Sequence, residues 1–262
     1  MTILPLATIR NLSLAYDGEM ALDGLSFDIR SGERLAIIGE SGSGKSSFAR
    51  ALSGLMPAHA TLGGDIGWPG FGETPPEAGR DFCLILQDPA TSLDPVMTVG
   101  EQVAEGARAH LGLAWPQAMA RAETLLARVR LPEPQRLMRA FPHQLSGGQR
   151  QRVAIAAALA SRPSLLIADE ITSALDMVTQ AEIVALLRDL TRDGGMTLVF
   201  IAHDIALAST LCDRCAVFHR GRLVEIGPMA DVLARPGDAY TAALIGAHID
   251  LASPRLIESG GR

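Results

Sequence analysis

The feature that most constrains this chain is a short apolar run, Leu35-Ala36-Ile37-Ile38, that opens into Gly39-Glu40-Ser41-Gly42-Ser43-Gly44-Lys45-Ser46 and continues as a helix-like stretch from Lys45 to Leu55. Strand, glycine-rich loop and helix in that order make a phosphate loop. The glycines let consecutive backbone N–H groups turn inward on an anion, and the helix N-terminus adds partial positive charge. Lys45 is then placed to reach the β and γ phosphates of a nucleotide, and the Ser46 hydroxyl to help hold Mg²⁺.

Two further apolar runs, Leu165-Leu166-Ile167-Ala168 and Leu198-Val199-Phe200-Ile201, become polar only where they end, in Asp169-Glu170 and His203-Asp204. Such runs belong to a parallel sheet covered on both faces. Nearer the N-terminus, Leu12, Leu14 and Tyr16 alternate with polar or small residues, and Leu25, Phe27 and Ile29 do so after a turn at Asp17-Gly18. That period of two predicts antiparallel strands. From about Val99 to Ala160 the texture changes to Ala, Leu, Arg and Gln, with helices predicted at Gln102–Ala109, Gln117–Val129 and Gly147–Ala160, broken by Pro132, Pro134 and Pro142. It reads as a helical subdomain inserted in an α/β core. Thr61 to Pro76, dense in Gly and Pro, is expected to form a turn-rich surface hairpin. The tail from Arg255 is expected to fray.

Composition excludes some classes. A net charge of -6 argues against a general nucleic-acid binder, which needs a concentrated surplus of Lys and Arg. No stretch approaches the ~18 apolar residues of a spanning helix, and Met1 to Arg10 lacks the layout of a signal peptide. Cys83, Cys212 and Cys215 cannot all pair, as suits a reducing compartment. Cys212, Cys215 and His219 have metal-like spacing, but a fourth ligand is missing, so two small buried thiols near a helix end are expected instead.

In a nucleotide site, Asp169 would bind Mg²⁺ through water and Glu170 would accept a proton from attacking water. Leu145-Ser146-Gly147-Gly148-Gln149 adds a second anion-binding nest at the start of a helix, although one phosphate loop already serves the nucleotide. Two such sites on one chain imply a ligand shared between chains.

With these residues in view, the chain resembles the ABC transporter ATPase family from roughly Leu6 to Leu244. The resemblance rests on the Walker A loop Gly39–Ser46, the Q-loop Gln87, the signature Leu145–Gln149, the Walker B pair Asp169-Glu170, the D-loop Ser173-Ala174-Leu175-Asp176 and the switch His203. It implies a P-loop NTPase (RecA-like) α/β core with an N-terminal antiparallel β subdomain and an inserted helical subdomain. The nucleotide-binding domain would span 1–245, with the insertion at about 88–160, followed by a tail at 246–262.

The resemblance also implies an ATPase using ATP and Mg²⁺. ATP would be held by Tyr16 stacking on adenine and by Gly39, Glu40, Ser41, Gly42, Ser43, Gly44, Lys45, Ser46 and Ser47. Mg²⁺ would be held by Ser46, Gln87 and, through water, Asp169. Glu170 would polarise the water, His203 would contact the γ-phosphate, and Gln87 would link the metal site to the helical subdomain. Ser146, Gly147, Gly148 and Gln149, with Asp176 nearby, would meet the ATP of a second ATPase subunit in a head-to-tail dimer. Ile171 stands where the family usually has Pro, a change expected to shift the Glu170 carboxylate slightly.

Gln87-Asp88-Pro89, Ser92-Leu93-Asp94-Pro95, Met97–Gln102, Phe141–Gln144 and Gln180–Ile183 are similar to the oligopeptide, dipeptide and nickel importer branch, and Asp238–Leu244 resembles a weaker version of its C-terminal motif. The partners so implied are transmembrane permease subunits and, indirectly, a substrate-binding protein, with the chain peripheral on the cytoplasmic face of the inner membrane. Two alternatives stay open: an ATPase for another cargo, including export, and a soluble non-transport ABC ATPase.

Overall fold

The computed structural model describes residues 4–88, 92–173 and 175–252. Pro89 of the Gln87 motif, Ala174 of the D-loop and the tail from Arg255 lie outside the described residues. In chain order the elements are β1 (Pro5–Tyr16), β2 (Glu19–Arg30), β3 (Arg34–Ile38), α1 (Lys45–Ser53), β4 (Ala60–Gly67), β5 (Phe82–Ile85), α2 (Val99–Leu111), α3 (Trp115–Arg128) and α4 (Pro134–Leu137). They continue with α5 (Gly147–Ala158), β6 (Leu165–Asp169), α6 (Met177–Gly194), β7 (Thr197–Ala202), α7 (Ile205–Ser209), β8 (Arg214–His219), β9 (Arg222–Pro228), α8 (Met229–Ala234) and α9 (Ala239–Ala252).

The central sheet runs β5-β6-β7-β3-β8-β9. Its first five strands are parallel, and β9 returns antiparallel to β8. Successive side chains on a strand point to opposite faces, and here each face has its own core. Leu35, Ile37, Leu165, Ile167, Val199 and Ile201 pack with Phe48 and Leu52 of α1 and with the apolar residues of β1 and β2. Ala36, Ile38, Leu166, Ala168, Leu198 and Phe200 pack instead with Val103, Leu126, Val153, Ile155 and Leu187. The helical insertion and α6 therefore cover one face, while α1 and a smaller antiparallel sheet cover the other.

That smaller sheet holds three strands, β2-β1-β4, joined at the first hairpin through Tyr16 and Glu19. The third strand departs from the expected surface hairpin at Thr61–Pro76: Ala60–Gly67 pairs along β1, with a register shift opposite Asn11 and Leu12 that accommodates its glycines. Beyond it a single helical turn, Pro69–Phe71, seats Trp68 flat against Phe82, ring centroids 5.9 Å apart.

All three helices predicted in the insertion are present, with shifted ends. α2 begins at Val99 because Thr98 and Glu101 form a capping box: the Thr98 N–H donates to Glu101 Oε2 at 2.9 Å, and the Glu101 N–H donates to Thr98 Oγ1 at 3.4 Å. Cys212, just after α7, and Cys215, on β8, are both buried, as two structural thiols should be. Burial pushes both thiols up, Cys215 to about 12.

Candidate nucleotide site

The C-terminal ends of β3 and β6 meet at a cleft of about 290 Å³, lined by Ala21, Ser41, Gly42, Gly44, Lys45, Ser46, Ser47, Gln87 and Glu170. The loop leading into α1 can take its path only with glycine at two points. A Cβ on Gly39 would lie 2.2 Å from the Phe218 carbonyl oxygen, and one on Gly44, at φ +100°, would lie 2.7 Å from that of Ala21. The turn between β8 and β9 supports the loop from behind, since the Gly221 N–H donates to the Ser43 carbonyl at 3.0 Å.

Lys45 is only 4% exposed. Its Nζ donates to the carbonyls of Gly39 and Glu40, each at 2.8 Å, and lies 3.5 Å from Glu170 Oε1. Ser46 follows it in the first turn of α1, and Ser46 Oγ donates to Asp169 Oδ1 at 3.0 Å. Burial raises the Asp169 pKa, and the neighbouring Glu170 carboxylate adds to the rise, while the Ser46 hydrogen bond opposes it.

Glu170 follows the last residue of β6 in a left-handed conformation, φ +47°, with its N–H donating to the Ile201 carbonyl at 3.0 Å. Non-glycine residues seldom adopt this conformation, and it is stored strain of the kind that collects at functional sites. Ile171 behind it is buried in the helical-side core. Gln87, just beyond β5, is tied to the same point through Ser173: Gln87 Nε2 donates to Ser173 Oγ at 3.1 Å, and Ser173 Oγ donates to the Glu170 carbonyl at 3.0 Å.

The remaining predicted residues lie outside the cleft lining. Tyr16 ends β1 with its ring against the N-terminal core and 6.0 Å from His59, its hydroxyl buried without a partner. His203 is exposed just past β7, where Asp204 caps α7. Ser146 caps α5, accepting from the Gln149 N–H at 3.2 Å while the Gln149 side chain accepts from the Ser146 N–H at 2.9 Å. Asp176 caps α6 through Thr179, and a Cβ on Gly148 would lie 2.8 Å from the Thr179 methyl. The signature and the D-loop therefore adjoin each other on an open face of the chain.

Two contacts to the phosphate loop had no signal in the sequence. One is the Gly221 turn. The other is Tyr240 on α9, whose hydroxyl accepts from the Glu40 N–H at 3.1 Å.

The ABC transporter family pattern matches residues 22–173. The chain is 40% identical to the peptidoglycan transport ATP-binding protein YejF of Agrobacterium fabrum, an alignment covering 97% of this chain and 50% of that one. It is also 40% identical to the glutathione import ATP-binding protein GsiA of Escherichia coli, covering 91% of this chain and 41% of the relative. To the oligopeptide transport ATP-binding protein OppD of Salmonella typhimurium it is again 40% identical, covering 93% of this chain and 74% of the other. The chain thus spans about half the length of the first two. Among solved structures, cbiO1 of Clostridium perfringens, part of the transporter complex cbiONQ, superposes with a TM-score of 0.75 at 29% identity, covering 96% of each chain. The dimeric ATP-binding cassette MJ0796 bound to ADP and Pi superposes at 0.72 with 28% identity, covering 85% of this chain and 98% of that one. This chain belongs to the ABC transporter family, and its fold is that of the P-loop NTPases.

Proposed function

We propose that the chain binds and hydrolyses ATP in a site completed by a second ATPase subunit, and so powers a membrane importer for peptides or a related small solute, nickel and metal chelates included. One observation carries this reading. The cleft gathers Lys45, Ser46, Gln87 and Glu170, with Asp169 hydrogen-bonded to Ser46 behind them, while the second anion nest at Ser146–Gln149 sits at a helix start outside its lining. A triphosphate held by both must lie between two chains.

In the proposed site the phosphate-loop N–H groups and Lys45 bind the β and γ phosphates. Ser46, Asp169 and the Gln87 amide offer hydroxyl, carboxylate and amide oxygens, a donor set that fits a hard cation such as Mg²⁺. Bound there, Mg²⁺ supplies neutralisation of phosphate charge. Glu170 accepts a proton from a water whose oxygen forms the new bond to the γ-phosphorus. The bond from that phosphorus to the β,γ-bridging oxygen breaks, releasing ADP and phosphate. His203 is assigned to the γ-phosphate and Tyr16 to the adenine ring. Ser146, Gly147, Gly148, Gln149 and Asp176 are assigned to the partner chain's nucleotide.

A permease contact is supported by an apolar groove of about 290 Å³ between β5 and α5, lined in part by Phe82, Leu84, Ile85, Leu93 and Ala154. Val96, 79% exposed, stands near by in sequence. No helix among the described residues is long and apolar enough to cross a membrane, so attachment through permease subunits at the cytoplasmic face is the reading we favour. The relatives named for transport of peptidoglycan, glutathione and oligopeptides support a peptide-like cargo delivered by a substrate-binding protein.

Paired lesions test the shared site. Lys45→Ala and Ser146→Arg, each in a Glu170→Gln background, should each abolish nucleotide occlusion as homodimers. Mixed dimers should regain one intact site, which trapping of labelled ATP would read. If mixed dimers form and occlude nothing, each chain builds its site alone. If the chain does not self-associate with ATP, the two lesions should be divided between it and a co-purifying ATPase subunit.

A further inference from the structure

We infer that Tyr240, on the C-terminal helix, is a positioning residue that fixes the phosphate-loop peptide on which Lys45 rests, an inference that depends on the nucleotide reading above. The peptide unit between Gly39 and Glu40 is pinned at both ends. Its carbonyl accepts from Lys45 Nζ at 2.8 Å, and its N–H donates to the Tyr240 hydroxyl oxygen at 3.1 Å. The unit is trans, so these two groups point to opposite sides of one rigid plane. Because Gly39 has no Cβ, little in its own side chain resists rotation of that plane. Holding the N–H therefore holds the carbonyl, and the carbonyl aims the ammonium.

Tyr240 is itself held on several sides. Its ring lies 3.9 Å, centroid to centroid, from that of His219 at the end of β8. The Tyr240 N–H donates to Asp238 Oδ1 at 2.8 Å at the start of α9. Glu225 of β9 accepts from the N–H groups of Gly237 at 2.8 Å and Asp238 at 3.2 Å, anchoring the segment that leads into the helix. A residue 200 positions away in sequence thus reaches the second residue of the loop from a rigid mount. This gives the segment Asp238–Leu244 a task at the nucleotide site.

Tyr240→Phe in the full chain keeps the ring beside His219 and deletes only the acceptor. With one hydrogen bond to a neutral group lost, ATP and ADP dissociation constants and the ATP KM should rise roughly two- to tenfold. The kcat at saturating Mg-ATP should stay within about twofold, and amide exchange at Glu40 should quicken. The melting temperature of the nucleotide-free protein should hardly move. A variant that binds nucleotide as well as the unaltered chain overturns the positioning role alone, as does a fall in kcat at unchanged KM or a lower melting temperature with unchanged affinity. Failure of the unaltered chain to bind nucleotide overturns the site reading and this inference together.

Discussion

The two ends of the central sheet are built on opposite terms. At the N-terminal ends of β3 and β8, charge is matched. Arg214 lies 3.2 Å from Glu33, both largely buried, and also donates to the Asp28 carbonyl, while Arg34 reaches Asp213 at 2.6 and 3.0 Å. At the C-terminal ends the chemistry is left unsettled. Burial raises the Asp169 pKa, Glu170 is held at positive φ, and the buried Ser43 hydroxyl has no partner. Strain and uncompensated polarity cost stability and persist only where the surrounding structure over-determines them. One end of the sheet supplies that support and the other draws on it.

The sharpest way to break this contrast is to show that the cleft end stabilises the fold. Glu170→Gln should lower ATP hydrolysis by a factor on the order of 10² to 10⁴, equivalent to about 3–5 kcal/mol of barrier, while ATP binding and melting temperature stay close to those of the unaltered chain. Single-turnover hydrolysis beside nucleotide titration checks this; near-normal turnover would remove Glu170 from the role of base.

At the opposite end, Glu33→Ala leaves Arg214 buried without its carboxylate and should cost about 3–5 kcal/mol of stability. A urea midpoint measures that loss. The folded fraction should bind nucleotide as before, and a loss well under 1 kcal/mol would erase the contrast.

Asp169→Asn should give the smallest effect, with opposite signs on stability and binding. A carboxyl whose folded pKa is raised holds its proton more tightly in the folded chain than in the unfolded one. Its contribution to stability is therefore best at low pH and declines as pH rises from the usual carboxylate range through the raised value. Once ionised, the buried carboxylate is a burden that Asn removes. The nucleotide-free melting temperature should rise by about 2–4 °C, on the order of 1 kcal/mol, and Mg-ATP affinity should fall. The thermal gain should shrink as pH is lowered; a gain independent of pH would mean that burial of charge is not its cause.

Local structure was legible in the sequence and long-range contact was not. The strand, loop and helix around Gly39–Ser46 declare themselves because neighbours in sequence are neighbours in space, and the same holds for Asp169-Glu170 at a strand end and Ser146 at a helix start. β4 hid behind its composition, since three glycines and no sustained alternation between Ala60 and Gly67 read as a turn although β1 supplies a paired edge. Thr98 and Glu101 carried the signal for the start of α2, a capping pair set just ahead of where helical texture becomes obvious. Tyr240 had no such signal. Its acceptor role depends on α9 packing back beside β8, and Glu33 likewise meets Arg214 across a separation of 181 residues.

Lys45 Nζ lies 3.5 Å from Glu170 Oε1 and donates to the carbonyls of Gly39 and Glu40, each at 2.8 Å, so one ammonium is shared among three oxygens that all belong to the chain itself. A phosphate arriving in the proposed site competes with all three for a single cation. The loop after β3 and the end of β6 are tied by that one side chain, and an ammonium that turns toward a phosphate lets go of both together.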